Sequence, residues 1–138
     1  MSEPALTGGC LCGAVRFEIA EPFEHAQYCH CTRCQRRTGT AASPGASTDS
    51  LTIVRGEDAI TTYDPGGGGW HKSFCSICGG HLWSQAPDDD SVHGVRLGAI
   101  DGDPGIRPSA RQFTDYAAVW EPIPDDGLPR YPERRTSD

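Results

Sequence analysis

Glycine and proline at short intervals, stretches of two-residue alternation, and seven cysteines confined to three tight clusters predict a mainly β chain stapled together at its cysteines. The 17 glycines and 11 prolines among 138 residues interrupt the chain too often for long helices. A chain of this length is expected to form one domain. Apolar residues make up only 36% of it, so the core should be modest. A bound structural metal would help, since such sites supply on the order of 10 kcal/mol or more of apparent binding free energy.

In chain order, Val15, Phe17 and Ile19 alternate with Ala14, Arg16 and Glu18, the period of a half-buried strand. Residues 40–47 and 51–54 are small-residue and β-branched runs that read as further strands. Another covers 60–63 and ends at Asp64-Pro65 and the run Gly66 to Gly69. Residues 70–74 lead into the third cysteine cluster and 82–85 leave it. Along 92–100, Val92, Gly94, Arg96, Gly98 and Ile100 alternate with His93, Val95, Leu97 and Ala99, which predicts one long strand. The single expected helix is a turn or two over 31–37. After Asp101-Gly102-Asp103-Pro104 the chain should be irregular, with Trp120 and Tyr131 as anchors, and frayed beyond about Glu133.

The formal net charge is −7, from 19 acidic and 12 basic side chains. Seven thiolates holding two divalent ions would take it to about −10. This balance argues against nucleic acid and against anionic membranes as partners. Met1-Ser2-Glu3-Pro4 has no charged segment followed by an apolar run, and no apolar stretch approaches the length of a membrane span. Reduced cysteines in the cytoplasm are the corresponding expectation.

The cysteine clusters are Cys10-Leu11-Cys12, Cys29-His30-Cys31-Thr32-Arg33-Cys34 and Cys75-Ser76-Ile77-Cys78. Gaps of one or two residues let two thiolates converge on one ion, whereas disulfide frameworks usually spread their partners. Four thiolates close a tetrahedral zinc site; three leave a position open. Seven therefore read as one structural zinc and one zinc that can do chemistry. If the first and third clusters share an ion, it closes a long loop and clips the first strand to a late hairpin. Spacing also allows the first cluster to pair with the middle one. A fourth donor for Cys29, Cys31 and Cys34 would be His25, His30, another histidine, water or an incoming ligand. His30 lies between two cysteines, so in extended chain it faces away from them.

With these clusters in place, the chain resembles the glutathione-dependent formaldehyde-activating family, whose relatives include the centromere protein V group. The resemblance rests on Gly9-Cys10-Leu11-Cys12-Gly13-Ala14-Val15-Arg16-Phe17, on Cys29-His30-Cys31-Thr32-Arg33-Cys34-Gln35-Arg36, and on Phe74-Cys75-Ser76-Ile77-Cys78-Gly79. A fainter match lies at Trp120 and at Asp126-Gly127-Leu128-Pro129-Arg130-Tyr131-Pro132. The resemblance implies an Mss4-like compact fold of short antiparallel sheets stapled by zinc, as a single domain over 1–138 with an ordered core of about 6–132. It implies a structural zinc on Cys10, Cys12, Cys75 and Cys78, and a catalytic zinc on Cys29, Cys31 and Cys34. The implied activity is that of a carbon–sulfur lyase forming or cleaving S-hydroxymethylglutathione, with a small thiol such as glutathione as partner. A non-catalytic zinc module for partner binding or metal buffering is the alternative. One departure is Pro108-Ser109-Ala110-Arg111, which carries arginine where family members often have histidine.

A thiol with two carboxylates needs cationic donors, and Arg33, Arg36 and Arg37 adjoin the middle cluster. They read equally as solvated charges on a short helix. Gly66 to Gly69 reads as a hairpin loop before an anion nest. His81 reads as a turn cap before a partner of the thiolates, and His71 and His93 belong to no constellation. Phe74, Trp83 and Trp120 read as core or pocket wall, and Asp88-Asp89-Asp90 as a solvated turn.

Overall fold

The computed structural model describes residues 3–136. The alternation of β2 (Arg16–Ile19) buries Phe17 and Ile19 and leaves Arg16 and Glu18 half-buried. β2 pairs antiparallel with β1 (Leu6–Gly9) on one side and β5 (Leu51–Arg55) on the other, which completes the first sheet. Gly8 lies opposite Phe17, and a side chain there would collide with that ring and with the Ala99 carbonyl. Glycine is what lets residues 97–100 lie directly against β1.

The second sheet runs β10-β4-β3-β11, from β3 (Ala26–Cys29), β4 (Ser43–Ala46), β10 (Val95–Arg96) and β11 (Arg111–Gln112). It is mixed, because β11 runs parallel to β3 while the other pairs are antiparallel. The third sheet is β6-β7-β8-β9, from β6 (Ile60–Tyr63), β7 (His71–Cys75), β8 (His81–Gln85) and β9 (Val92–His93). All its pairs are antiparallel. The predicted mainly β class with short sheets is thus borne out. None of the described helices is long and apolar enough to cross a membrane.

The core lies where the three sheets meet, with Ala26, Ala46 and Val95 supplied by the second. Phe17 and Trp83 pack edge to face with centroids 5.6 Å apart, among Val15, Ile19, Leu82, Val95 and Ile100. Leu82, Trp83 and Ser84 are all buried in succession, so β8 is covered on both faces.

Several expectations need correction. Residues 92–100 are not one strand. Gly94 takes a left-handed φ of 62°, which separates β9 from β10, and Leu97–Ala99 coils into a 3-10 turn. β1, β3 and β11 had no distinct pattern in the sequence. The late region is irregular apart from β11 and a 3-10 turn at Thr114–Tyr116, but Trp120 is 63% exposed rather than an interior anchor. Nor is the tail free from Glu133 onward. Phe113 N–H donates to the Glu133 carbonyl at 2.8 Å, and Arg135 N–H donates to Gln112 Oε1 at 3.0 Å.

Phe17→Ala should lower unfolding stability by about 3–5 kcal/mol, because a buried ring is lost and Trp83 loses its edge contact. Urea unfolding at fixed metal concentration would measure it; an unchanged midpoint would mean that the core lies elsewhere.

Candidate metal and thiol site

Two cysteine groups form, divided as the first-with-third pairing requires. The sulfurs of Cys10, Cys12, Cys75 and Cys78 lie within 4.8 Å of one another, as do those of Cys29, Cys31 and Cys34. All seven are free thiols, and no histidine or carboxylate among the described residues joins either group. Both groups can therefore hold a metal ion.

The first group is built from turns. Cys10 follows β1, and Gly13 N–H donates to its carbonyl to bring Cys12 around. Cys75 ends β7, and Gly79, left-handed at φ 77°, donates to the Cys75 carbonyl at 2.8 Å to turn Cys78 inward. Cys12 stands 3.7 Å from Cys10 and 3.9 Å from Cys75, sulfur to sulfur. Backbone N–H groups of Cys12 and Gly80 draw the Cys78 thiol down to about 6.

The second group sits where β3 passes into α1 (Thr32–Thr38). Cys29 ends the strand, and Cys31 caps the helix with its sulfur accepting Cys34 N–H at 3.3 Å. Cys34 is buried in the first turn. Gly39, left-handed, closes the helix by donating to the Gln35 carbonyl at 2.7 Å. Hydrogen bonds from the Cys29 and Cys34 thiols hold Cys31 well below the usual thiol range, and Cys29 is pushed up in turn. Three thiols this close cannot all ionise without a compensating cation.

These three cysteines line a cavity of about 750 Å³ that is rich in positive charge. Arg33, Lys72, Arg96, Arg134 and Arg135 all line it, and no acidic residue does so among the described residues. Arg96 donates through Nε to the Gly94 carbonyl at 2.8 Å and through Nη1 to Ser43. Burial lowers the pKa of Lys72, and Arg37 lowers it further.

The histidines take no part in either cysteine group. His30 is buried, and its Nε2 lies 3.1 Å from Arg111 Nη1. A guanidinium only donates, so Nε2 accepts and the imidazole is neutral with its hydrogen on Nδ1. Burial, then Arg111 and Arg130, hold its pKa down. Arg111 also lies over the Tyr28 ring and donates to Asp126 at 2.8 Å. The arginine that departs from the family pattern thus ties the late segment to the side chain of the histidine between two cysteines. His25 is exposed on the cavity rim. His93 also lines it, between Ser47 and Ser91, with its ring edge-on to Trp70. His71 faces Asp64, and His81 lines a separate cavity.

The three arginines of α1 divide. Arg33 lines the thiol cavity, whereas Arg36 does not. Arg37 is not a solvated charge either: it donates to the Trp83 and Ser73 carbonyls and to Ser84 Oγ, fastening α1 to the third sheet. Gly66 to Gly69 is the loop between β6 and β7, outside the thiol cavity. Asp89 accepts from Ser91 in a turn, as a solvated segment would. Phe74 lines the separate cavity, and Trp83 is core. Sequence reading missed Lys72, Arg96, Arg134 and Arg135, none of which adjoins a cysteine in the chain, and singled out Arg111 only as a departure from the family pattern. The one available signal was a lone arginine at position 96 in a run of small and apolar residues.

Arg111→Ala should lower stability by about 1–3 kcal/mol, because buried His30 then loses its donor. Asp126→Ala should cost less, since Arg111 still reaches His30. Equal losses in thermal unfolding of the two variants would contradict this order.

A model of the family described as glutathione-dependent formaldehyde-activating enzyme matches residues 5–116. A Halomonas elongata protein, named provisionally as a glutathione-dependent formaldehyde-activating enzyme, is 30% identical over 110 residues, covering 71% of this chain and 67% of its own length. The crystal structure of a Rhodobacter sphaeroides protein superposes with a TM-score of 0.55 at 31% identity, covering 74% of this chain and 91% of that one. With a match over most of its length and the two cysteine groups assembled in space, this chain belongs to the glutathione-dependent formaldehyde-activating enzyme family.

Proposed function

We propose that this chain adds glutathione, or a closely related small thiol, to formaldehyde to give the S-hydroxymethyl adduct, and catalyses the reverse cleavage. That is a carbon–sulfur lyase-type reaction. The observation that supports it best is the set of three thiols, without a fourth protein donor among the described residues, opening on a cationic cavity. Seven free sulfurs grouped four and three suit two zinc ions, since thiolates favour this soft, tetrahedral metal. In this reading Cys10, Cys12, Cys75 and Cys78 hold a structural ion, and Cys29, Cys31 and Cys34 hold one with a position left open. Zinc at the second set would supply Lewis acidity that ionises an incoming thiol near neutral pH.

The protein's own side chains bind and orient. A cavity of about 750 Å³ is large enough for a tripeptide-sized ligand. Arg33, Lys72 and Arg96 offer donors to its two carboxylates, with Arg134 and Arg135 at the same wall. Held there, the thiol sulfur bonds to the formaldehyde carbon, the carbonyl π pair moves to oxygen, and that oxygen takes up the proton the thiol gave. Thiol plus formaldehyde thus equals the adduct, with no other reactant.

Native mass spectrometry of the reduced protein should show two zinc ions and a saturable glutathione adduct. Cys31→Ser should lose the adduct and one zinc while keeping the other. An adduct that survives Cys31→Ser, or two zincs with no adduct in the parent, would sink the proposal. Lys72→Met should raise the half-saturating glutathione concentration about tenfold with metal content unchanged, the cost of one charge-assisted contact. Titration calorimetry at fixed ionic strength would read that shift.

A further inference from the structure

Arg36 and Arg37 are cations that the thiol cavity leaves unused, and both line a second cavity of about 540 Å³. Arg33 and Lys72 line both cavities and so stand in the partition between them. Its apolar lining is Tyr63, Pro65 and Phe74, with Gly79 and His81 completing it. No acidic side chain lines this space among the described residues, although the chain carries 19. Arg33 and Arg36 are exposed and make no ion pair or hydrogen bond among the described contacts, whereas Arg37 is fixed from behind by Ser73, Trp83 and Ser84.

Four like charges around one hollow repel one another and raise the free energy of the unliganded protein. A carboxylate relieves that repulsion, and guanidinium groups meet it with paired, planar donors. Tyr63 is 58% exposed, a large ring left in water beside those cations. A ligand with a flat apolar body covers it and Phe74 while its anionic end reaches the arginines.

We propose that this second cavity is a binding site for a small organic carboxylate with a flat apolar body, separate from the three-cysteine site. Arg36 is the anion's principal free donor, and Tyr63 with Phe74 forms the bed for the apolar part. The site does not depend on the reaction proposed above, because none of the seven cysteines lines it.

The test uses the zinc-loaded full chain and 4-(trifluoromethyl)benzoate, observed by fluorine NMR. Saturable binding is expected, weakened about tenfold in Arg36→Ala, the loss of one charge-assisted contact. Tyr63→Ala should weaken it as well, and the neutral amide of the same probe should bind at least tenfold more weakly. Metal content read on the same samples confirms that the variants are folded. No saturable binding, equal binding by the amide, or unchanged affinity in Arg36→Ala would each overturn the assignment. Excess glutathione should leave the probe bound; its complete displacement with a matching competition constant would place the probe in the thiol cavity instead and overturn the second site.

Discussion

The convergence of four sulfurs from two segments far apart in the chain is the constraint on which the rest of the architecture depends. Cys10 and Cys12 follow the first strand, and Cys75 and Cys78 stand at the turn of the β7–β8 hairpin. Their sulfurs lie within 4.8 Å of one another. As thiols they make only weak mutual hydrogen bonds, and as thiolates they repel unless a cation lies between them. The clip holds the first sheet against the third, the two sheets whose Phe17 and Trp83 rings meet in the core. The same hairpin carries Lys72 and Ser84 into the thiol cavity, opposite the cysteines of β3 and α1. Where Lys72 stands relative to Cys31 is therefore set partly at a distant group of sulfurs.

The second group has a different mechanical basis. Cys31 and Cys34 are joined by a helix cap, and the helix is held at both ends. Gln35 donates to the His30 and Tyr116 carbonyls, and Arg37 donates into β7 and β8. Behind Cys29, β11 lies parallel to β3, and Arg111 leaves it to reach His30 and Asp126. Three thiols are fixed this way without any fourth side-chain donor among the described residues, so rigidity is achieved without closing the group.

The pattern of what the sequence disclosed follows from locality. Cysteines two or three residues apart carry their ligand geometry in their own spacing, so both groups were legible, as were the short helix and the alternating strand at Phe17. The pairing of first with third cluster was not fixed by spacing; only the folded chain brings Cys12 to Cys75. β3 and β11 are strands because of what lies beside them. Alternation along 92–100 was misleading because Gly94, with its left-handed backbone, breaks the strand where period-two counting continues through it. Trp120 was misplaced because a large aromatic ring is taken as interior by default, and here it stands in solvent. The cavity cations were hidden for a further reason. Arg33 is close to its cysteines in sequence, but Lys72, Arg96 and Arg135 arrive from three other segments.

Charge is also segregated in a way composition conceals. Seven of the 12 basic side chains line the two cavities, and among the described residues none of the 19 acidic ones does. Arg37, Lys72 and Arg96 are substantially buried, and burial lowers the pKa of each. Desolvation on that scale needs a compensating negative charge nearby. No carboxylate supplies it among the described ion pairs; Cys31 and Cys34 do so for Lys72, and Cys34, Cys29 and Cys31 do so for Arg96. Lys72 and Arg96 therefore favour the charged forms of Cys31 and Cys34, and are favoured by them in turn; the thiolate is the form in which cysteine binds metal. An acidic exterior around a cationic hollow also focuses the field into the opening. Such a field favours small anions in the cavities. A net charge of −7 and cavities lined by cations are thus compatible, because the two signs occupy different places.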